Sequence, residues 1–235
     1  MQTLSKAVLL AMMATVWAAP AYAEEADDDG GFSANIGFVS DYTFRGASQT
    51  NEDPALQGGL DYGWANGFYI GTWASNVDFV PGDGANFELD TYAGWGTSLN
   101  ENLSLDLQFV RYWYPGADAD YEYNEFIANL TVAEAVTFTL GYSNDAFASD
   151  ETGIYYAVSG SYGLPWYELS LNGSVGYYDL DDVLGDSVTD FSVGVSKAFG
   201  PLEGSISYVD TDSAGERVYG DNGGSRVVLA LTLGL

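Results

Sequence analysis

Apolar and polar residues alternate with a period of two along most of this chain, in segments of about nine to eleven residues. In the last segment, Val227, Leu229, Leu231, Leu233 and Leu235 share one face of an extended strand. Such alternation is typical of β-strands whose two faces meet different surroundings. The pattern predicts twelve strands, approximately at residues 32–44, 55–63, 68–77, 87–96, 103–113, 121–130, 136–143, 154–162, 167–178, 188–199, 202–209 and 226–235.

The connections between these predicted strands alternate between short and long. The short connections include tight-turn sequences such as Asn66-Gly67 and Gly200-Pro201, and their acidic residues are limited to Glu101 and Glu134. Every long connection contains acidic residues. Short turns at one end and long loops at the other are typical of outer-membrane barrels. The predicted fold is therefore all-β, a closed antiparallel up-and-down transmembrane β-barrel of about 12 strands, with both termini at the short-turn end.

The first residues predict export. Lys6 supplies a positive charge, residues 7–19 are apolar apart from Thr15, and residues 20–23 (PAYA) have the small residues of a cleavage site. This apolar run is too short for a membrane-crossing helix, which needs about 20 residues. The predicted organisation is a signal peptide at 1–23, an acidic flexible N-terminus at 24–31 and an outer-membrane barrel domain at 32–235.

Composition excludes several classes of function. The chain has no cysteine and no histidine, which excludes disulfides, a Ser–His hydrolase and a His-ligated zinc site. Its 34 acidic residues against 6 basic ones give a net charge of −28. This charge argues against nucleic-acid binding and favours the attraction of cations to the protein. Glu88 and Asp90 share a face that could suit glycoside chemistry, but acids alternating along a pore wall are commoner. We predict no enzymatic activity and no cofactor.

Three short motifs carry a resemblance to a known family. Residues 40–50 (SDYTFRGASQT) resemble the opening strand and loop of the TorF-type porin family, proteobacterial outer-membrane β-barrels. Residues 76–79 (NVDF) and 114–116 (YPG) resemble later segments of the same family. The resemblance implies a porin-like protein of the cell outer membrane and does not identify a solute. The chain ends on Leu235, where such barrels often have an aromatic residue, but its alternation continues to the end.

If the apolar face contacts lipid, the other face lines an aqueous lumen. Carboxylates around such a lumen stabilise cations and repel anions. We predict a narrow, porin-like channel for passive diffusion of small, preferentially cationic or neutral solutes. The residues predicted to line the pore are Asp41, Arg45, Asp61, Glu88, Asp90, Asp106, Glu125, Glu168, Asp190 and Glu203.

Alternatives to this channel remain open. In a non-conducting structural or binding barrel, the carboxylates would solvate a closed interior, and Arg45 would pair with Asp41. In a soluble periplasmic ligand-binding barrel, the apolar face would point inward, because period-two alternation does not specify which face is inside.

The predicted partners are outer-membrane lipid and lipopolysaccharide, small solutes or cations, and the barrel-assembly machinery through the C-terminal strand, with no nucleic acid. The loop residues Asp179, Asp181 and Asp182 could gather Mg²⁺ or Ca²⁺ among lipopolysaccharide phosphates. Asp210, Asp212 and Asp221 are weak metal candidates, because their spacing only partly matches a calcium-binding loop. A solvated acidic loop is the favoured interpretation of that segment.

Overall fold

A computed structural model describes residues 30–79, 84–165 and 167–235, and in these residues twelve strands form a closed antiparallel barrel. Two further, very short strands, β2 and β3, pair only with each other. The strands are β1 (Gly31–Val39), β2 (Thr43–Phe44), β3 (Ala47–Ser48), β4 (Ala55–Gly63), β5 (Phe68–Asn76), β6 (Phe87–Asn100), β7 (Leu103–Trp113), β8 (Tyr123–Val132), β9 (Val136–Ser143), β10 (Gly153–Gly163), β11 (Ser170–Asp179), β12 (Val188–Phe199), β13 (Leu202–Thr211) and β14 (Arg226–Gly234).

The barrel confirms the predicted fold class. The predicted signal peptide at 1–23, and residues 24–29 of the acidic segment, lie outside the described residues. Each barrel strand pairs with the next barrel strand along the chain, and β1 closes the barrel by pairing with β14. The long connections meet at one end of the barrel, called here the loop end, and the short ones meet at the opposite turn end.

Barrel closure uses the chain up to its last residue. Backbone hydrogen bonds join Ala34 and Leu235 in both directions, with N to O distances of 3.3 and 2.9 Å. Along the same seam, Phe38 pairs with Leu231. The alternation continues to Leu235 because this segment supplies the closing edge of the sheet.

Strand boundaries differ from the prediction by three or more residues at three places. The fourth predicted strand ended at residue 96, whereas β6 continues to Asn100. The first strand was predicted to reach residue 44, but β1 ends at Val39 and the chain then turns into the barrel. The ninth predicted strand began at residue 167, whereas β11 begins at Ser170. Tyr167 and Glu168 have left-handed φ angles of 64° and 56°, and they therefore belong to a turn and not to the strand.

The apolar face of the alternation points outward. Phe38, Leu60 and Leu231 are 49, 49 and 52% exposed, whereas the inward Val228 is 1% exposed. This orientation is opposite to that of the soluble-barrel alternative, in which the apolar residues would have formed the interior. A barrel with this outer surface needs an apolar environment around it, because large contiguous apolar surfaces are unfavourable in water.

Aromatic side chains are found on the outside near the turn end. Phe32, Tyr62 and Trp64 pack edge to face there, with ring centroids 4.7 and 4.8 Å apart for the successive pairs. Near the opposite end, Tyr42 and Phe44 lie inside the barrel and not on its outer surface. Two short α-helices lie in long connections, α1 (Asp181–Leu184) and α2 (Ser213–Tyr219). Within the described ranges, no helix has the length and hydropathy needed to cross a membrane.

Candidate functional site

The connection from β1 to β4 folds into the lumen at the loop end. Its residues 41–50, called here the lumen hairpin, are buried except for Phe44 and Gln49, which are half-buried. Strands β2 and β3 pair within the hairpin and leave Arg45 and Gly46 as a two-residue turn. These residues have φ angles of 48° and 84°, and positive values at both positions are what a type I′ hairpin turn requires.

The tip of the lumen hairpin touches the barrel wall at β12 and β13. A Cβ atom on Gly46 would lie 2.6 Å from Cγ2 of Thr211 and 2.8 Å from Cβ of Asp190, on β13 and β12. Only glycine fits such a close approach without displacing the wall. Arg45, also at the tip, reaches Glu125 on β8, which is five strands away from β1 in the sheet, so the hairpin extends across the lumen at the loop end.

A buried ion pair anchors this tip. Arg45 Nη2 lies 2.6 Å from Glu125 Oε1 on β8, and the two side chains are 1 and 0% exposed. The Arg45 guanidinium also lies 4.1, 4.4 and 4.7 Å from the ring centroids of Tyr155, Tyr178 and Phe44. Cation–π contacts of this kind add to the ion pair when the site is desolvated.

The base of the lumen hairpin is held by a second carboxylate. Asp41 accepts hydrogen bonds from the hydroxyls of Ser48 and Thr50 at 2.6 and 3.0 Å. It also accepts one from Arg226 Nη1 of β14 at 2.9 Å. The alternative pairing of Arg45 with Asp41 is therefore wrong, because each of these residues has a different partner.

Tyrosine hydroxyls donate hydrogen bonds to most of the inward carboxylates. Sequence reasoning missed these tyrosines as lumen residues, although several of them share the period-two face of the acids. A buried carboxylate needs donors, and a phenol supplies one without adding charge. The pairs are Tyr92 with Asp61 at 2.5 Å, Tyr42 with Glu88 at 2.8 Å, Tyr69 with Asp106 at 2.9 Å, Tyr112 with Glu125 at 3.1 Å and Tyr155 with Asp190 at 3.3 Å.

The two halves of the lumen differ in packing. At the loop end, the lumen hairpin packs with buried wall residues that include Trp73, Tyr112 and Tyr123. Near the turn end, the inward residues are small or polar and partly accessible to solvent. They include Ser33, Asn129, Thr139, Ser159, Ser205 and Thr232.

Nine of the ten residues predicted to line the pore lie inside the barrel, and Glu168 does not. Asp41 and Arg45 reach the interior through the lumen hairpin, and the other seven do so through strands. Glu168 lies in the turn before β11, with its side chain 89% exposed and 3.8 Å from Lys197 Nζ. It does not line the lumen, because the turn at residues 167–168 delays the start of the strand. The seven on strands are Asp61, Glu88, Asp90, Asp106, Glu125, Asp190 and Glu203.

The weak calcium-loop candidate forms a helix instead. Asp212 Oδ1 accepts hydrogen bonds from the backbone N–H groups of Ala214 and Gly215 and so caps α2. Asp210 accepts the hydroxyl of Tyr208 at 2.9 Å. Nowhere in residues 30–79, 84–165 and 167–235 do three or more acidic side chains converge as a metal site.

The loop end also carries an exposed ion pair. Arg217 Nη2 lies 2.5 Å from Asp186 Oδ2. The hydrogen bond from Arg217 holds the pKa of the Asp186 carboxyl below its usual value. This contact joins the last long connection to the one that contains α1.

A protein-family model described as a bacterial protein of unknown function (Gcw_chp) matches residues 23–232. The chain belongs to this family. No curated protein sequence matches the chain.

Several solved structures share the fold of this family member. The KdgM porin, solved in complex with disordered oligogalacturonate, aligns with a TM-score of 0.54 at 10% identity, covering 86% of this chain and 98% of that one. The NanC porin gives 0.53 at 11% identity with the same coverage. The COG4313 outer membrane channel from Pseudomonas putida F1 gives 0.51 at 13% identity, covering 89% of this chain and 98% of that one. The chain thus has the barrel fold of outer-membrane porins and channels.

Proposed function

We propose that this protein is an outer-membrane channel of narrow bore, of the TorF type, for small cationic or neutral solutes. The observation that carries the proposal is the charge of the barrel interior. In the described part of the chain, the basic side chains of the interior are Arg45 and Arg226, and both are held in ion pairs. The interior carboxylates are more numerous, namely Asp41, Asp61, Glu88, Asp90, Asp106, Glu125, Asp190 and Glu203.

The excess of carboxylates favours cations over anions. An anion entering the lumen would be repelled, and a cation would replace part of its hydration with carboxylate oxygens. The effect is strongest where the lumen is narrow, because the surrounding protein screens charge less than bulk water does. The lumen hairpin supplies such a narrow zone at the loop end.

The channel is tested by the reversal potential of the purified, folded barrel in a planar bilayer with a salt gradient. We expect a small conductance with cation selectivity. Charge removal by Asp106→Asn together with Glu203→Gln should reduce that selectivity, because both side chains face the accessible turn-end half. The matched control is Glu168→Gln, which removes an exposed carboxylate from a turn and should leave selectivity unchanged. Anion selectivity in the unmodified protein would overturn the proposal.

The buried lumen hairpin favours a second function, a non-conducting binding or structural barrel. In that case the tip contact between Arg45 and Glu125 would close the loop end permanently. Such a protein would give no ion current even when its fold and insertion are verified. The loop-end connections would then supply its function through a partner.

Placement in a bilayer makes its own prediction for the outward face. Leu231 is 52% exposed on the outward face, so Leu231→Arg puts a charge into the surrounding lipid. Near the bilayer midplane such a charge should destabilise the barrel by about 2–4 kcal/mol. Thr232→Arg puts the same side chain one position along, on the inward face. Thr232→Arg should lower the stability much less, because water can hydrate the arginine there and Glu203 on the neighbouring strand can pair with it. Unfolding in lipid vesicles measures both, and equal losses would contradict a lipid-facing exterior.

We further propose delivery to the cell outer membrane through cleavage after residue 23 and assembly through β14. Lipid and lipopolysaccharide would then surround the outward apolar face. Osmotic shock offers a direct test, because an outer-membrane protein stays with the membrane fraction. Release of the protein with the periplasm would reject this location.

A further inference from the structure

Two carboxylates lie side by side behind the lumen hairpin. Glu88 and Asp90 are two residues apart on β6 and point to the same inward face, with exposures of 2 and 9%. On the neighbouring strands, Ser75 pairs with Glu88, and Tyr112 pairs with Asp90. The pair is therefore enclosed by the barrel wall on one side and by the hairpin on the other.

The protein partners of this pair are uncharged. Glu88 Oε1 accepts a hydrogen bond from the hydroxyl of Tyr42 at 2.8 Å. Asp90 Oδ1 is buried and has no hydrogen-bond partner among the described residues. The interior guanidinium groups form their ion pairs with other carboxylates, Arg45 with Glu125 and Arg226 with Asp41.

Such an arrangement is unfavourable without a counter-charge. Burial penalises each carboxylate, and two negative charges on adjacent inward positions also repel each other. Removing one partner from a buried pair is costly for the same reason, since an uncompensated charge is left in a medium of low polarity. A cation between Glu88 and Asp90 would neutralise both groups and would supply the partner that Asp90 Oδ1 does not find in the protein.

We propose that Glu88 and Asp90 bind a hard metal cation beneath the lumen hairpin. The oxygens at hand include those of the two carboxylates and the hydroxyls of Tyr42 and Tyr114, which both hydrogen-bond Glu88, and oxygen ligands are what Ca²⁺ and Mg²⁺ prefer. Two carboxylates balance a divalent ion, and Ca²⁺ tolerates irregular geometry better than Mg²⁺ does. Calcium is therefore the expected occupant.

The site would connect cation binding to the position of the lumen hairpin. Tyr42 lies at the base of the lumen hairpin and donates a hydrogen bond to Glu88, so an ion that orders Glu88 also stabilises the hairpin base. This inference goes beyond the channel function, because binding at equilibrium does not require conduction. Conversely, selectivity generated by the turn-end carboxylates does not require this site.

The test measures cation binding to the purified, folded barrel after treatment with a chelator. Titration calorimetry and the thermal unfolding midpoint are followed as Ca²⁺, Mg²⁺, Na⁺ or K⁺ is added. The unmodified protein should bind Ca²⁺ with a saturable rise in its unfolding midpoint, because a ligand specific for the folded state stabilises it. Asp90→Asn should weaken Ca²⁺ binding by roughly tenfold or more, at least the loss typical of a removed supporting group at a metal site.

The matched control is Asp106→Asn, which neutralises another inward carboxylate nearer the turn end. Asp106 accepts a hydrogen bond from the hydroxyl of Tyr69. This variant should leave Ca²⁺ binding unchanged. Should Asp90→Asn fail to fold, Glu88→Gln supplies a second variant with the same expected loss. Absence of a response to all four cations would overturn the proposal, as would equal losses in Asp90→Asn and Asp106→Asn. Infrared detection of a protonated Asp90 in the cation-loaded protein would also overturn it.

Discussion

Replacing Arg45 with alanine is expected to lower the free energy of unfolding of the barrel by about 3–5 kcal/mol, the usual cost of breaking a buried ion pair from one side. Arg45 and Glu125 are 1 and 0% exposed, so the variant leaves a carboxylate buried without its cation. The stacking of the guanidinium on Tyr155 and Tyr178 is lost as well. Urea-induced unfolding in lipid vesicles, followed by tryptophan fluorescence, measures the difference.

The matched control for this prediction is Arg111→Ala. Arg111 Nη2 lies 2.8 Å from Glu122 Oε2, a similar distance, but the two side chains are 26 and 33% exposed. Solvent screens such a pair, and its loss should cost less than about 1 kcal/mol. If the two alanine variants were equally unstable, burial of the Arg45 pair would not be the source of its stability.

Removing the lumen hairpin is expected to raise the conductance of the barrel several-fold. Val39 and Ala55 pair directly at the ends of β1 and β4, so an Asn-Gly turn can replace residues 40–54 without changing the strand register. The replacement removes the segment that crosses the lumen at the loop end. Single-channel recording of the variant beside the unmodified protein measures the change.

A second loop variant serves as the control for this experiment. Replacing residues 181–186, which include the exposed helix α1, with a short Gly-Ser segment shortens a loop that lies outside the lumen. Its conductance should match that of the unmodified protein. Equal conductance in both variants would mean that the lumen hairpin does not obstruct the pore.

The strands themselves were predictable because their signal is local. Each pleat alternates its side chains, so lipid-facing and inward positions alternate in the sequence wherever a strand crosses the sheet. The C-terminal segment ending in Leu235 is the clearest case, and it forms β14 and the closing seam. Two of the errors occur where the alternation in the sequence extends beyond the true bounds of a strand. At residues 40–44 the chain has already turned into the lumen, and Glu168 precedes β11.

The inward carboxylates were also predictable as a set, but their partners were not. Tyr69, Tyr92 and Tyr112 occupy the polar face of their strands, yet an aromatic residue in a strand is also explained by β propensity. Only the barrel geometry brings Tyr92 of β6 to Asp61 of β4, across the intervening strand. Hydrogen bonds of this kind depend on strand order and register, which bring residues of non-adjacent strands together on the inner wall.

By itself, the sequence determined the strand number and the separation of an apolar face from an acidic one, because a period of two and a run of turn residues are properties of neighbouring residues. The closed barrel then decided that the apolar face points outward and the acidic face inward. The tertiary structure alone decided which segment fills the lumen and which charges meet there. Arg45 and Glu125 are 80 positions apart, and Asp41 and Arg226 are 185 apart. Such partners become neighbours only when the sheet closes, since closure fixes which strands face each other.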